Sequence, residues 1–94
     1  MAAVYILYSE QIGQFYIGSC KNLAGRISEH NNNKFARSFT RRANDWKLYY
    51  SMEDLTSKQA KQIENHIKRM KSKKYILNLK KYSEIGEKLY DKYK

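Results

Sequence analysis

Apolar positions gather in two short runs near the start of the chain. The first is Ala3-Val4-Tyr5-Ile6-Leu7-Tyr8 and the second is Gln14-Phe15-Tyr16-Ile17-Gly18. Both are rich in β-branched and aromatic residues, which suit a pleated surface. The polar connector 9–13 ends in Gly13, so the pair reads as a β-hairpin. With Ser9 opposite Gln14, Leu7 faces Tyr16 and Tyr5 faces Gly18. Alternation then puts Tyr5 and Tyr16 on one face as diagonal neighbours, and Gly18 leaves a hollow beside the Tyr5 phenol. Two hydroxyls at a hollow are the start of a site, or they are two ordinary strand tyrosines.

After the hairpin the period becomes helical. Asn22 can cap a helix over 22–30, with Leu23 and Ile27 inward and Arg26 and His30 four apart on one face. Gly25 weakens that helix by about 1 kcal/mol relative to Ala, and leaves room for a backbone or ligand. In 34–44, Phe35 and Phe39 are four apart, which suggests a short helix. Its Arg37, Arg41 and Arg42 form either a solvated basic face or a phosphate contact. Asn44-Asp45 reads as a turn. A third strand over 46–52 would carry Leu48, Tyr50 and Met52 on one side and Tyr49 on the other.

The longest helix opens at Thr56, which has capping-box spacing to Gln59. Its apolar stripe is Ala60, Ile63, Ile67 and Met70. Glu64 falls on or beside this stripe. An unpaired buried carboxylate is costly, so Glu64 must meet a cation, hydrogen-bond donors or a metal; Lys68 at i+4 is the plain partner. His66 falls on the polar side and reads as a surface residue. A further helix from Ser72 carries Tyr75, Ile76 and Leu79, with Asn78 as an end cap or an anchor. In 82–94, Ile85, Leu89, Tyr90 and Tyr93 have near-helical spacing, as expected of a docked terminal helix, a dimer contact or a tail. The expected class is α+β, ordered β-β-α-α-β-α-α. A small, three-stranded, mostly antiparallel sheet is flanked by helices. The expected division is a domain over 1–81 followed by a tail or terminal helix over 82–94.

Length and composition narrow the class. The 94 residues make one domain with a modest core. There is no Pro, and the single Cys20 allows no internal disulfide. No run approaches the roughly 20 apolar residues that span a bilayer, and no signal peptide is evident. A reducing compartment, most simply the cytoplasm, is the expectation. Charge changes the picture most. Nineteen Lys and Arg against nine Asp and Glu give +10, which favours polyanions, nucleic acid first.

The series Val4-Tyr5-Ile6-Leu7, Phe15-Tyr16-Ile17-Gly18, Asn22-Leu23, Arg26, Glu29-His30, Thr40-Arg41-Arg42, Trp46-Lys47-Leu48 and Glu64 resembles the GIY-YIG endonuclease superfamily. It is most similar to small stand-alone members related to the excinuclease nuclease domain. The resemblance covers residues 2–79. Ala3 and Val4 stand where the first motif has Gly and Ile, and residues after Tyr82 lie outside it. The resemblance implies a metal-dependent endonuclease that hydrolyses DNA phosphodiester bonds, in DNA repair or recombination. It implies that Tyr5 and Tyr16 act on the water nucleophile, with Tyr5 as general base. Arg26 would bind the scissile phosphate. His30 would position or activate the tyrosine, or assist proton transfer. Glu64 would hold one divalent metal, Mg²⁺ or Mn²⁺, and Asn78 would be a supporting residue.

The residue types suit that chemistry. Phosphodiester hydrolysis needs an activated water and neutralisation of the developing charge. A phenol titrates near 10, so Tyr5 needs a neighbouring positive charge to serve as base. Mg²⁺ takes oxygen ligands, so one Glu suffices when DNA and water supply the rest. Arg37, Arg41, Arg42, Lys68 and Lys71 are the expected phosphate contacts, with little base readout, on structured or damaged DNA or through a targeting partner. A nucleic-acid-binding module with the same fold and little activity is the alternative. A basic ribosome-associated protein would explain the charge but not the ordered motif residues.

Overall fold

The computed structural model of the chain describes residues 1–31 and 43–94, without the side chains of 28–31. The elements are β1 (Ala2–Ser9), β2 (Gln14–Cys20), α1 (Leu23–Asn31), β3 (Lys47–Leu55), α2 (Ser57–Met70), α3 (Lys73–Lys81) and α4 (Ser83–Lys92). The sheet runs β2-β1-β3, antiparallel throughout. This is the expected α+β arrangement. The short helix expected over 34–44 falls almost entirely outside the described residues.

β1 is the central strand and is covered on both faces, which is why its sequence is a continuous apolar run. Val4 and Ile6 point to one side, into a core with Leu55, Ala60, Ile63, Ile67, Leu79 and Leu89. Tyr5 and Leu7 point to the other, into a second cluster with Cys20, Ala43 and Trp46, against which Tyr16, Leu23 and Ile27 pack. The hairpin pairs Ser9 with Gln14, Leu7 with Tyr16 and Tyr5 with Gly18, the register that puts Tyr5 and Tyr16 on one face. Gly13 turns the chain with a positive φ of 60°. Asp45 clamps the turn from outside: Ser9 Oγ donates to its Oδ1 (2.5 Å) and the Gln11 N–H to its Oδ2 (3.1 Å).

β3 departs from simple alternation. Leu48 pairs with Leu7, but Tyr50 pairs with Ile6, so a bulge falls at Tyr49. Tyr49, Tyr50 and Met52 therefore all pack on the α2 side, whereas Leu48 lies on the other face and is 44% exposed. The expected grouping of Leu48 with Tyr50 and Met52 is corrected by that extra residue. A second irregularity lies between Ala2 and Val4, where Asp54 takes a positive φ of 61°. Trp46 precedes the strand and is buried.

α2 has the full capping box. Thr56 Oγ1 accepts from the Gln59 N–H at 3.0 Å, and Gln59 Oε1 accepts from the Thr56 N–H at 3.3 Å. Ala60, Ile63 and Ile67 are buried as expected, but Met70, in the last turn, is exposed.

α4 docks rather than frays. Leu89 joins the main core, Gly86 lies where the Tyr50 hydroxyl leaves no room for a Cβ, and Gln59 Nε2 donates to the Tyr90 carbonyl. His66 is half-buried rather than a plain surface residue. Its Nδ1 lies 2.9 Å from the Tyr93 hydroxyl, and its ring packs against Tyr75 and Tyr93. Burial, with Lys92 and Arg69 nearby, holds its pKa below the ordinary 6.5. Folding thus favours neutral His66. That contribution is present above about pH 6.5 and is lost as pH falls through the lower folded value. The urea midpoint should drop between about pH 7.5 and about pH 5.5, and the drop should shrink in His66→Gln.

Candidate functional site

The candidate site is built round the edge of β2. Tyr5, on β1, projects across Gly18 toward that edge. A Cβ at Gly18 would stand 2.5 Å from the Tyr5 hydroxyl and 2.6 Å from Cζ, so the ring occupies the space the glycine leaves. The hollow expected beside the phenol is thus filled by the phenol itself. Tyr16 lies on the same face, its ring centroid 6.3 Å from that of Tyr5, and meets Trp46 edge-on at 6.4 Å. Burial and the neighbouring Tyr16 push the Tyr5 pKa well above the usual phenol value, with Arg26 opposing.

Arg26 comes from the first turn of α1. Asn22 starts that helix, its Oδ1 accepting from the Gly25 N–H at 3.1 Å. Gly25 has space only for the Asn22 amide, so the close approach it permits is this cap. Arg26 lines a cavity of about 430 Å³ with Ser19, Cys20, Lys21, Asn22 and Ser57 among its walls. It acts electrostatically on both Tyr5 and Cys20, whose thiol burial pushes up.

Glu64 approaches from the opposite face. Ser19 is paired with Val4 and so points toward α2, where its Oγ donates to Glu64 Oε1 at 2.6 Å. Lys68 Nζ donates to Oε2 at 2.5 Å, and Lys61 lies 3.6 Å from Oε1. The Glu64 side chain is 6% exposed. Burial alone would raise its pKa, but the Lys68 and Ser19 hydrogen bonds and the two lysine charges outweigh that and hold it below 4.5. Glu64 is therefore ionised and stands near enough to act on the Tyr5 phenol. Both sides of the sheet contribute to one place because β2 is an edge strand.

Tyr5, Tyr16, Arg26 and Glu64 are thus brought together. Lys68 is engaged with Glu64, the pairing the i+4 spacing anticipated. Lys71 ends α2 in a left-handed cap and is exposed. Asn78 sits half-buried on α3, its carbonyl accepting from the Tyr82 N–H at 2.8 Å, and no described contact joins it to the Glu64 cluster. The side chains of His30, Arg37, Arg41 and Arg42 lie outside the described residues. Ser19 was missed: the period-two pattern assigns its face, but only the docking of α2 shows what waits there.

Residues 1–78 match the family model of the GIY-YIG catalytic domain. The chain belongs to the GIY-YIG family. No curated protein and no solved structure matches it. GIY-YIG domains are nuclease domains, which makes nucleic acid the substrate class and a divalent metal the general requirement. Among the described residues no group of three or more His, Cys, Asp or Glu side chains gathers as a metal cage. The donor set fits a hard cation held by one carboxylate, with substrate and water as the other ligands. Lys68 is half-exposed along its side chain. Among the described residues no helix is long and apolar enough to cross a membrane.

The Tyr5–Gly18 contact is testable. The ring is 2% exposed and cannot swing away cheaply. Gly18→Ala should cost about 1–3 kcal/mol in urea unfolding. The penalty should persist in a Tyr5→Phe background, because the Cζ contact remains.

Proposed function

We propose that the chain is a metal-dependent DNA endonuclease and that Tyr5, Tyr16, Arg26 and Glu64 carry the reaction. The observation that supports this most directly is the Ser19 hydroxyl on the edge strand, which holds the buried, ionised Glu64 carboxylate and lines the same open cavity as Arg26, while both charged groups act on the Tyr5 phenol. Arg26 binds the scissile phosphate through its planar fork and offsets charge as the pentacovalent state forms. Glu64 holds Mg²⁺ or Mn²⁺ once Lys68 has moved aside, with Ser19 keeping the carboxylate oriented. Such an ion, when bound, polarises the phosphoryl group and makes water acidic.

Tyr5 is protonated at neutral pH in the surroundings described, so its hydroxyl is suited to positioning water or donating to a phosphate oxygen. The general-base role requires positive charge beyond that of Arg26. Tyr16 supports the Tyr5 ring and borders the same space. His30, on the same helix as Arg26, assists proton transfer, and Arg37, Arg41, Arg42 and Lys71 contribute phosphate contacts. The substrate is structured or damaged DNA, recognised mainly through its phosphates.

The test is cleavage of supercoiled plasmid and of branched or nicked oligonucleotides with Mg²⁺ or Mn²⁺, with binding measured in the same samples. Arg26→Ala should lower the rate by about 10²–10³-fold. Glu64→Ala should abolish metal-dependent cutting, and both variants should still bind DNA. Wild-type binding with no cutting under any metal would instead establish a binding module on this fold. Cutting that survives both substitutions would remove the site assignment.

A further inference from the structure

The first turn of α2 separates two cavities. On one side is the cavity that Arg26 and Lys21 line, with Ser57 in its wall. On the other is a cavity of about 300 Å³ lined by Thr56, Lys58, Gln59, Lys92 and Lys94 among others. Thr56, Ser57 and Lys58 are consecutive, so the two hollows are one step apart along the backbone. No carboxylate side chain lines either of them, although Glu64 is bonded to Ser19 and Glu53 acts on Cys20 in the wall of the first. The contrast with the third cavity is sharp: there Lys80 stands with Glu87 and Asp91 beside Tyr50, Met52 and Leu79. The positive end of the α2 dipole also lies between the two basic hollows. Lys58 and Lys92 are exposed, and Lys92 comes from α4, beyond the matched residues 1–78.

We infer that Lys21, Lys58 and Lys92 form a track for the phosphate backbone of a nucleic-acid strand, leading away from Arg26 across the α2 N-terminus onto α4. The ligand class rests on the nuclease reading, but the track is a separate claim. A backbone presents one charge per about 3.4 Å of strand, so a strand with one phosphate at Arg26 has others to place along any continuous basic surface. α4 is held there by Leu89 in the core, by the Gln59–Tyr90 hydrogen bond and by the His66–Tyr93 contact. The terminal helix thereby becomes a binding element as well as a packing one. The track leaves the site by the N-terminal end of α2, opposite to the end that carries Lys68 and Lys71.

The experiment is fluorescence anisotropy with a labelled duplex oligonucleotide and no metal, over a salt series. Wild type is compared with Lys58→Gln/Lys92→Gln and with Lys74→Gln/Lys80→Gln, a control of equal charge change on exposed residues of α3. The track variant should bind at least tenfold more weakly near 0.1 M salt, and the slope of log K against log salt should shrink by about 2. The control should keep most of the wild-type slope. Equal losses in both variants would mean a general charge effect and would overturn the track, as would an unchanged track variant. Thermal unfolding of each variant, and Lys58→Gln alone, separate binding loss from misfolding. Plasmid cleavage by wild type is scored separately. A wild type that never cuts, combined with a selective loss at Lys58 and Lys92, sinks the nuclease reading and leaves the track standing.

Discussion

A slip of one residue between β1 and β2 would carry Tyr16 to the face opposite Tyr5 and turn Ser19 away from α2. Every part of the candidate site hangs on that register. It places Gly18 under the Tyr5 ring, and it sends Ser19 through to the other face to meet Glu64. The clamp from Asp45 onto Ser9 and Gln11 holds the turn that sets it. The two buried faces of β1 hold it again, since Val4 and Ile6 fit one core and Tyr5 and Leu7 the other, and a flip would exchange them.

The electrostatics of the site follow from the same geometry. Glu64 is buried yet ionised because three donors or charges meet it: Ser19, Lys68 and Lys61. Such an arrangement trades solvation for specific hydrogen bonds, and removing one partner leaves a charge in poor solvent. Lys68 acts as the internal counter-ion of that carboxylate. Tyr5 shows the opposite tendency. It is enclosed by packing, with a carboxylate and a second phenol nearby, and burial favours its neutral form. The site thus combines a group kept charged with a group kept neutral, and Arg26 acts on the neutral one.

Much of this was legible along the chain. The hairpin, its register, the Asn22 cap, the capping box at Thr56 and the stripe Ala60, Ile63, Ile67 are local properties, readable from residue type and spacing. Tyr5, Tyr16, Arg26 and Glu64 stood out as a set only through the resemblance to the GIY-YIG superfamily, since residue type and spacing alone left plain structural readings open. Leu48 and Tyr49 were misassigned because a bulge adds one residue to β3, and alternation has no memory of where a strand kinks. Met70 and His66 were misplaced because a helical wheel shows faces but not which face a later helix will cover. The arrival of α4 decided His66.

By itself the sequence determined the hairpin, the helices at Asn22, Thr56 and Ser72, and the basic charge; its motifs, by resemblance, pointed to the family. Those elements and that charge depend on short-range sterics, side-chain period and composition, which need no partner segment. Only the tertiary structure decided that Ser19 meets Glu64, that the Tyr5 ring fills the Gly18 hollow, and that Lys58 and Lys92 flank one helix end. Each of these joins residues far apart in the chain, or depends on how a ring settles between packed layers. Such contacts are chosen by the burial of whole elements against one another, which no local pattern encodes.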